Sequence, residues 1–240
     1  VHKVKYANKG AKGYGFVGLN LDEELFKSKK VRLALYHLLN RDLMIEKFRF
    51  GMDIPATGPW YQQSEYADSS VKSVTFDPKK ALSLFRAEGW KDSDGDKILD
   101  KVINGKKVNF SFTILEPNKD FEKYLTIFKE DAKKAGIDIK IKVVEWNTFI
   151  KLLNERKFEA VRLAWSGGSV DIDPKQIWHS SSISGGGSNF VGYANKKVDK
   201  WIDEARMTTD KRKRINVLRR VYRTIADDVP YLFFFNSKFG

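Results

Sequence analysis

Residues 108–143, VNFSFTILEPNKDFEKYLTIFKEDAKKAGIDIKIKV, decide the fold. The segment opens with alternation: Val108, Phe110, Phe112 and Ile114 point one way, the period of a half-buried strand. Phe121, Tyr124, Leu125, Phe128, Ala132 and Ala135 then recur at the three- and four-residue spacing of one helical face, which Gly136 ends. Ile137, Ile139, Ile141 and Val143 alternate again. Strand, helix and strand in this order make a βαβ unit, with parallel strands and a right-handed crossover.

The same reading extends in both directions. Toward the C-terminus, Asn147 is expected to cap a helix reaching Glu155, and residues 158–165 form the next strand, a second helix-connected pair. Helices follow near 196–206 and 211–226, the latter with Ile215, Leu218, Tyr222 and Ile225 on one face. Pro230 leads into an apolar strand over 231–235. Toward the N-terminus, Asn104-Gly105 signals a two-residue hairpin. Asp77-Pro78 is an N-cap followed by proline at the first helical position, and Gly89 closes that helix. Residues 52–71 read as a long loop holding Pro55, Gly58, Pro59, Trp60 and Tyr61. Before it lies a short helix capped by Asn40 and ended by Gly51. Val31, Ala34, Leu35, Leu38 and Leu39 form a helical stripe, and residues 5–20 read as extended. No repeat or linker interrupts the chain, so residues 1–240 are expected to form a single α/β domain: a mixed sheet with βαβ units and flanking helices.

Composition narrows the classes of function. A hydrophobic content of 42% is that of a globular chain rather than a disordered one. No apolar run approaches the roughly 18–20 residues of a membrane-spanning helix. The absence of cysteine excludes disulfides, thiolate zinc and cysteine nucleophiles. A net charge of +13 invites a nucleic-acid reading. The basic residues are spread along the chain, however. Their densest cluster, Lys211 to Arg214 with Arg219, Arg220 and Arg223, falls on a helix and reads as a solvated face.

Two motifs match known chemistry on paper. Gly13-Tyr14-Gly15-Phe16-Val17-Gly18 has the dinucleotide-binding spacing, but neither a buried strand before it nor a helix after it is legible. Asp92, Asp94, Asp96 and Asp100 alternate as in a calcium loop. There Lys97 occupies the position of the turn glycine and Ile103 that of the bidentate acid. Of the three histidines, His2 is terminal, His37 lies off its apolar stripe, and His179 adjoins Ser180. Adjacency in sequence does not make a nucleophile–base pair, and no enzyme is expected.

The richest stretch covers residues 160–193, AVRLAWSGGSVDIDPKQIWHSSSISGGGSNFVGY, and runs from the apolar strand at 158–165 into a loop crowded with glycine and serine. Its tryptophans, Trp165 and Trp178, fit either the walls of a ligand cleft or a loop pinned to the core.

Taken in order, these segments resemble the C-terminal lobe of a family 5 extracytoplasmic solute-binding protein, the group of oligopeptide and dipeptide receptors of ABC importers. The resemblance begins with Asn20, Phe26, Lys30-Val31-Arg32-Leu33-Ala34 and Asn40-Arg41, then Pro55-Ala56-Thr57-Gly58-Pro59. It continues through Phe76-Asp77-Pro78, Asp94-Gly95-Asp96, Asn104-Gly105-Lys106 and Gly136-Ile137-Asp138-Ile139. It ends on Trp146, Phe149, Leu152, Phe158-Glu159 and Asn189-Phe190-Val191-Gly192-Tyr193, with Val198-Asp199, Ile202 and Ala205.

The resemblance implies one lobe of a type II periplasmic-binding-protein-like fold, cut from a protein of about twice this length or more. That protein would trap a peptide or similar polar solute between hinged lobes and deliver it to a membrane permease. It would be a monomer, periplasmic or otherwise extracytoplasmic, with any membrane anchor outside this chain, and with no metal, cofactor or nucleic acid. The rival class is a basic nucleic-acid- or anion-binding domain. Peptide-binding members carry an Asp shortly after the loop tryptophan, which pairs with the ligand's ammonium. Here Trp165 matches but Gly168 stands where the acid belongs, and Asp171 and Asp173 lie further along. The residues expected to line the cleft are Trp165, Gly167, Gly168, Ser169, Asp171 and Trp178, with Asn189 at the end of the loop. Trp165 would supply an apolar wall, the glycines close backbone approach, and Asp171 a partner for a cation.

Overall fold

The structure, a computed structural model, describes residues 13–166 and 173–237. Strand β1 (Tyr14–Leu19) is followed by helices α1 (Lys29–His37) and α2 (Arg41–Arg49) and by β2 (Asp53–Pro55). Helix α3 (Pro78–Ala87) precedes the hairpin strands β3 (Asp100–Ile103) and β4 (Lys106–Asn109). The βαβ region comprises β5 (Ser111–Glu116), α4 (Glu122–Lys134), β6 (Asp138–Val143), α5 (Trp146–Asn154) and β7 (Ala160–Trp165). Short α6 (Lys175–Trp178), then α7 (Lys196–Met207) and α8 (Lys211–Asp228), lead to β8 (Tyr231–Phe233) and β9 (Phe235–Ser237).

Five strands form one mixed sheet, as expected, in the order β6-β5-β7-β1-β8. β5 runs parallel to both β6 and β7, whereas β1 is antiparallel to β7 and to β8. The two crossovers cover opposite faces. Leu125 and Phe128 of α4 join the main core with Phe110, Phe112 and Ile114, while Phe149 and Leu153 of α5 pack with Leu115, Phe158 and Val161 in a separate cluster.

Several boundaries differ from the sequence reading, each for a local reason. The strand expected across residues 108–114 is two strands, with Phe110 between them. β4 pairs back onto β3 through Asn104 and Gly105, both at positive φ (51° and 76°), as the hairpin signal requires. The apolar run 231–235 likewise divides at Phe234: β8 stays in the main sheet and β9 pairs with β2. Helix α5 is capped by Glu145, whose carboxylate accepts from Asn147 N and Thr148 N, so Asn147 sits inside the first turn. The predicted caps Asn40 and Asp77 do accept amides, from Leu43 and Lys80.

The Gly13–Gly18 motif lies along β1, not at a strand-to-helix turn. A Cβ on Gly13 would stand 2.4 Å from the Trp165 carbonyl oxygen. One on Gly18 would meet Val191 at 3.0 Å and Phe16 at 3.2 Å. These glycines admit close packing at the β1–β7 edge and beside the stacked Phe16 and Tyr231 rings.

Two buried arginines tie the N-terminal helices to the end of the chain. Arg32 donates to the carbonyls of Phe26 (2.7 Å), Lys27 (2.9 Å), Asp228 (2.6 Å) and Val229 (3.0 Å). Arg41 donates to Ala56 O (2.8 Å), Phe233 O (3.1 Å) and Tyr36 Oη (2.9 Å), and also to Val74 O. Such charge-assisted bonds satisfy loop carbonyls that no ladder reaches. The basic stretch of α8 is more than a solvated face. Lys211 Nζ lies 2.8 Å from Glu65, Arg219 Nε donates to Glu65 O at 3.0 Å, and Arg223 Nη1 lies 3.2 Å from Asp68. The helix thereby holds the proline-rich loop.

Candidate functional site

The topology selects one edge of the sheet. From β5 the chain crosses through α4 to β6 on one side, then returns through α5 to β7 on the other. The strand order therefore reverses between β5 and β7. In open α/β sheets the crevice outside the carboxyl ends of such strands is where ligands bind, because two loops diverge there. Here those ends are Glu116 and Trp165. Tyr14, at the start of β1, lies opposite Trp165, and β8 runs toward the same edge before becoming β9.

At this edge Trp165 is half-buried and braced by aromatics. Its ring is nearly parallel to Phe16 (centroids 6.1 Å apart, 22°) and to Phe190 (6.2 Å, 16°). Phe16 in turn stacks on Tyr231 at 3.8 Å. The cross-strand ladder fixes the indole where β7 enters the loop, since aromatic pairs stabilise both rotamer and register.

Behind the crevice lies a buried ion pair. Glu116, fully buried, has Oε2 2.9 Å from Nε of Arg162, whose side chain is also almost wholly buried. The contact is not aligned as a hydrogen bond, and Arg162 Nη2 has no hydrogen-bond partner. Its guanidinium lies 3.4 Å from the Phe121 ring centroid, and Asn118 N donates to Glu116 Oε1 at 2.8 Å. Burial pushes the Glu116 carboxyl up to about 7, although the Arg162 charge opposes the shift. Burial also lowers Arg162, with Glu116 opposing. The pair leaves this buried end of β5 and β7 without a strong net charge.

The remaining expected cleft residues divide. Gly167, Gly168, Ser169 and Asp171 lie outside the described residues. Trp178 is buried at 1% exposure, packed on Tyr231 (4.6 Å) and edge-on to Tyr193 (5.8 Å), so it supports the aromatic ladder from within rather than forming a wall. Asn189 is equally buried, and its amide is fully used. Nδ2 donates to His179 O (3.1 Å) and Tyr193 O (2.7 Å), while Oδ1 accepts from Tyr193 N (2.9 Å). It fastens the end of the glycine–serine loop. Asp173 is exposed and pairs with Arg206 at 3.1 Å.

His179 serves the same loop. Its Nδ1 accepts the Ser181 amide (3.0 Å) as the cap of a short turn, and Nε2 lies 3.3 Å from Asp203. Ser180 Oγ donates to Asp199 (2.6 Å), not to His179. In the aspartate-rich turn, Asp92, Asp94 and Asp100 bring carboxylate oxygens within 4.8 Å of one another. Lys107 pairs with Asp94 and lies 3.7 Å from Asp100, so a cation of the chain itself already faces these acids.

The sequence reading missed Glu116 and Arg162. The available signal was Arg162 at an interior position of an otherwise apolar strand, a charge that burial forbids without a partner.

The chain is similar to known proteins over almost its whole length. The family model of bacterial extracellular solute-binding proteins, family 5 Middle, matches residues 2–187. The oligopeptide-binding protein AppA of Bacillus subtilis is 34% identical over 238 residues, covering 98% of this chain and 43% of its own length. Its structure in complex with a nonapeptide superposes with a TM-score of 0.87, covering 95% of this chain and 45% of that one. A dipeptide-binding protein of Escherichia coli is 24% identical over 226 residues, covering 93% of this chain and 40% of its own. The chain thus spans about two fifths of the length of these relatives.

Proposed function

Because the chain belongs to the bacterial extracellular solute-binding proteins of family 5, we propose that it forms one lobe, residues 1–240, of a monomeric two-lobed receptor. The receptor captures a peptide or similar polar solute and delivers it to the permease of an ABC importer. The observation that carries this reading is the crevice where strand order reverses between β5 and β7, walled by the braced Trp165, in a chain 34% identical to an oligopeptide-binding protein. Trp165, Gly167, Gly168, Ser169 and Asp171 line the crevice in this account, and Trp178 and Asn189 hold the lining segment from behind. The reading is of binding rather than catalysis because the matched family is one of solute-binding proteins. The rival class, a dedicated nucleic-acid- or anion-binding domain, finds no support among these relatives.

Substitution tests the assignment. In the full-length protein, Trp165→Ala should weaken peptide binding about tenfold or more, as loss of a ring wall costs on the order of 1.4 kcal/mol or more. Its melting transition should stay cooperative. Unchanged affinity, measured by calorimetry, would remove Trp165 from the site.

A further inference from the structure

At the edge of the sheet opposite Trp165, where β6 begins, a cavity of about 420 Å³ is lined by Lys97, Lys129 and Lys133 around Ile98, Ile137 and Ile139. Ile137 and Ile139 are buried and give it an apolar floor. Asp96 and Asp138 also line it, each hydrogen-bonded within the chain, and Lys140 Nζ lies 3.8 Å from Asp138. Asp96 Oδ1 accepts from Ile98 N at 2.7 Å, and Asp138 Oδ2 accepts from Ser111 Oγ at 2.8 Å. The three lysines have no ion pair within 4.0 Å among the described residues. Lys134, on the same helix, is instead held by Asp131 at 2.8 Å.

Lys97 is also strained. Its φ is 69°, in the left-handed region that glycine occupies freely and a long side chain does not. This is the turn position where the aspartate motif calls for glycine, and the chain carries a lysine there instead. The same residue lines the cavity together with Lys129 and Lys133.

We propose that this cavity is a second binding site, separate from the crevice, for an anionic amphiphile: a phosphate or carboxylate head held by Lys97, Lys129 and Lys133 with its apolar tail on Ile98, Ile137 and Ile139. The volume falls within the roughly 300–1,000 Å³ of small-molecule sites. Three lysines against two hydrogen-bonded carboxylates leave a net positive rim above an apolar floor, which matches a head-and-tail ligand better than an inorganic ion that would leave the floor uncovered. The site does not depend on the receptor reading, because it shares no residue with the crevice.

Calorimetric titration of the full-length protein with monomeric n-octyl phosphate, below its micelle concentration, tests the proposal. Lys97→Gly should weaken binding about 2–5-fold, and Lys97→Gly/Lys129→Gln/Lys133→Gln more than about tenfold. Lys97→Gly should at the same time raise the melting temperature by about 2 °C through relief of the left-handed strain, which separates lost binding from lost folding. Capture on phosphatidylglycerol vesicles through the same lysines would assign the head and tail to a membrane lipid. Binding of the monomer without vesicle capture would assign them to a free amphiphile. The proposal is overturned if octyl phosphate does not bind, if the triple variant binds it as the parent does, or if inorganic phosphate binds equally well.

Discussion

Glu116 and Arg162 show how burial sets the behaviour of single residues. The unfolded chain ionises Glu116 near its ordinary 4.5, whereas the folded chain does so only at about 7. The folded state therefore keeps a proton that the unfolded state has lost. Its advantage is complete below about pH 4.5 and is lost as pH rises through about 7, by up to about 3 kcal/mol. Subtracting the unfolding free energies of Glu116→Gln from those of the parent across this pH range should show that slope. A flat difference would place the carboxyl in a wetter environment. Removing the cation alone is costlier. Arg162→Met should lower stability by about 3–5 kcal/mol, because it strands a buried acid, whereas the Glu116→Leu/Arg162→Met double variant should recover most of the loss. Denaturant titration of both variants decides this.

At the scale of elements, the arginine clamps explain why α1 and α2 sit where they do. Arg41 serves carbonyls from three separate segments, at Ala56, Val74 and Phe233. Arg41→Met should therefore cost about 3 kcal/mol or more in urea unfolding, since several buried acceptors lose their donor together. A loss below about 1 kcal/mol would mean that water replaces the guanidinium. The elements themselves were legible in the sequence wherever periodicity was strong: α4, β6 and α8 lie within a few residues of their predicted spans. The breaks at Phe110 and Phe234 were not legible, because an apolar run carries no mark of where it changes partner strand. The same limit applies to the crevice. Trp165 was visible as a large aromatic at a strand end. Trp178 looked equivalent in sequence, and only packing against Tyr193 and Tyr231 distinguishes it as interior. Glu116 and Arg162 are 46 positions apart by number and meet only through the β5–β7 pairing.

At the scale of the whole molecule, the proposed receptor encloses its ligand between two lobes, of which this chain would be one. The chain spans about two fifths of the length of its relatives. A ligand held by this lobe alone would keep much of its surface in water, so the isolated lobe should bind weakly, and the full-length protein much more tightly. The basic charge of +13 is partly internal to the design, spent on loop clamps by α8 and on carbonyl clamps by Arg32 and Arg41. The most direct test of the central claim is native mass spectrometry of the gently purified full-length protein. A receptor should appear as a one-to-one complex with co-purified solute, seen as a mixture of peptide masses. Bound nucleic acid that falls away as salt is raised, or a protein that takes up no member of an added peptide library, would contradict it.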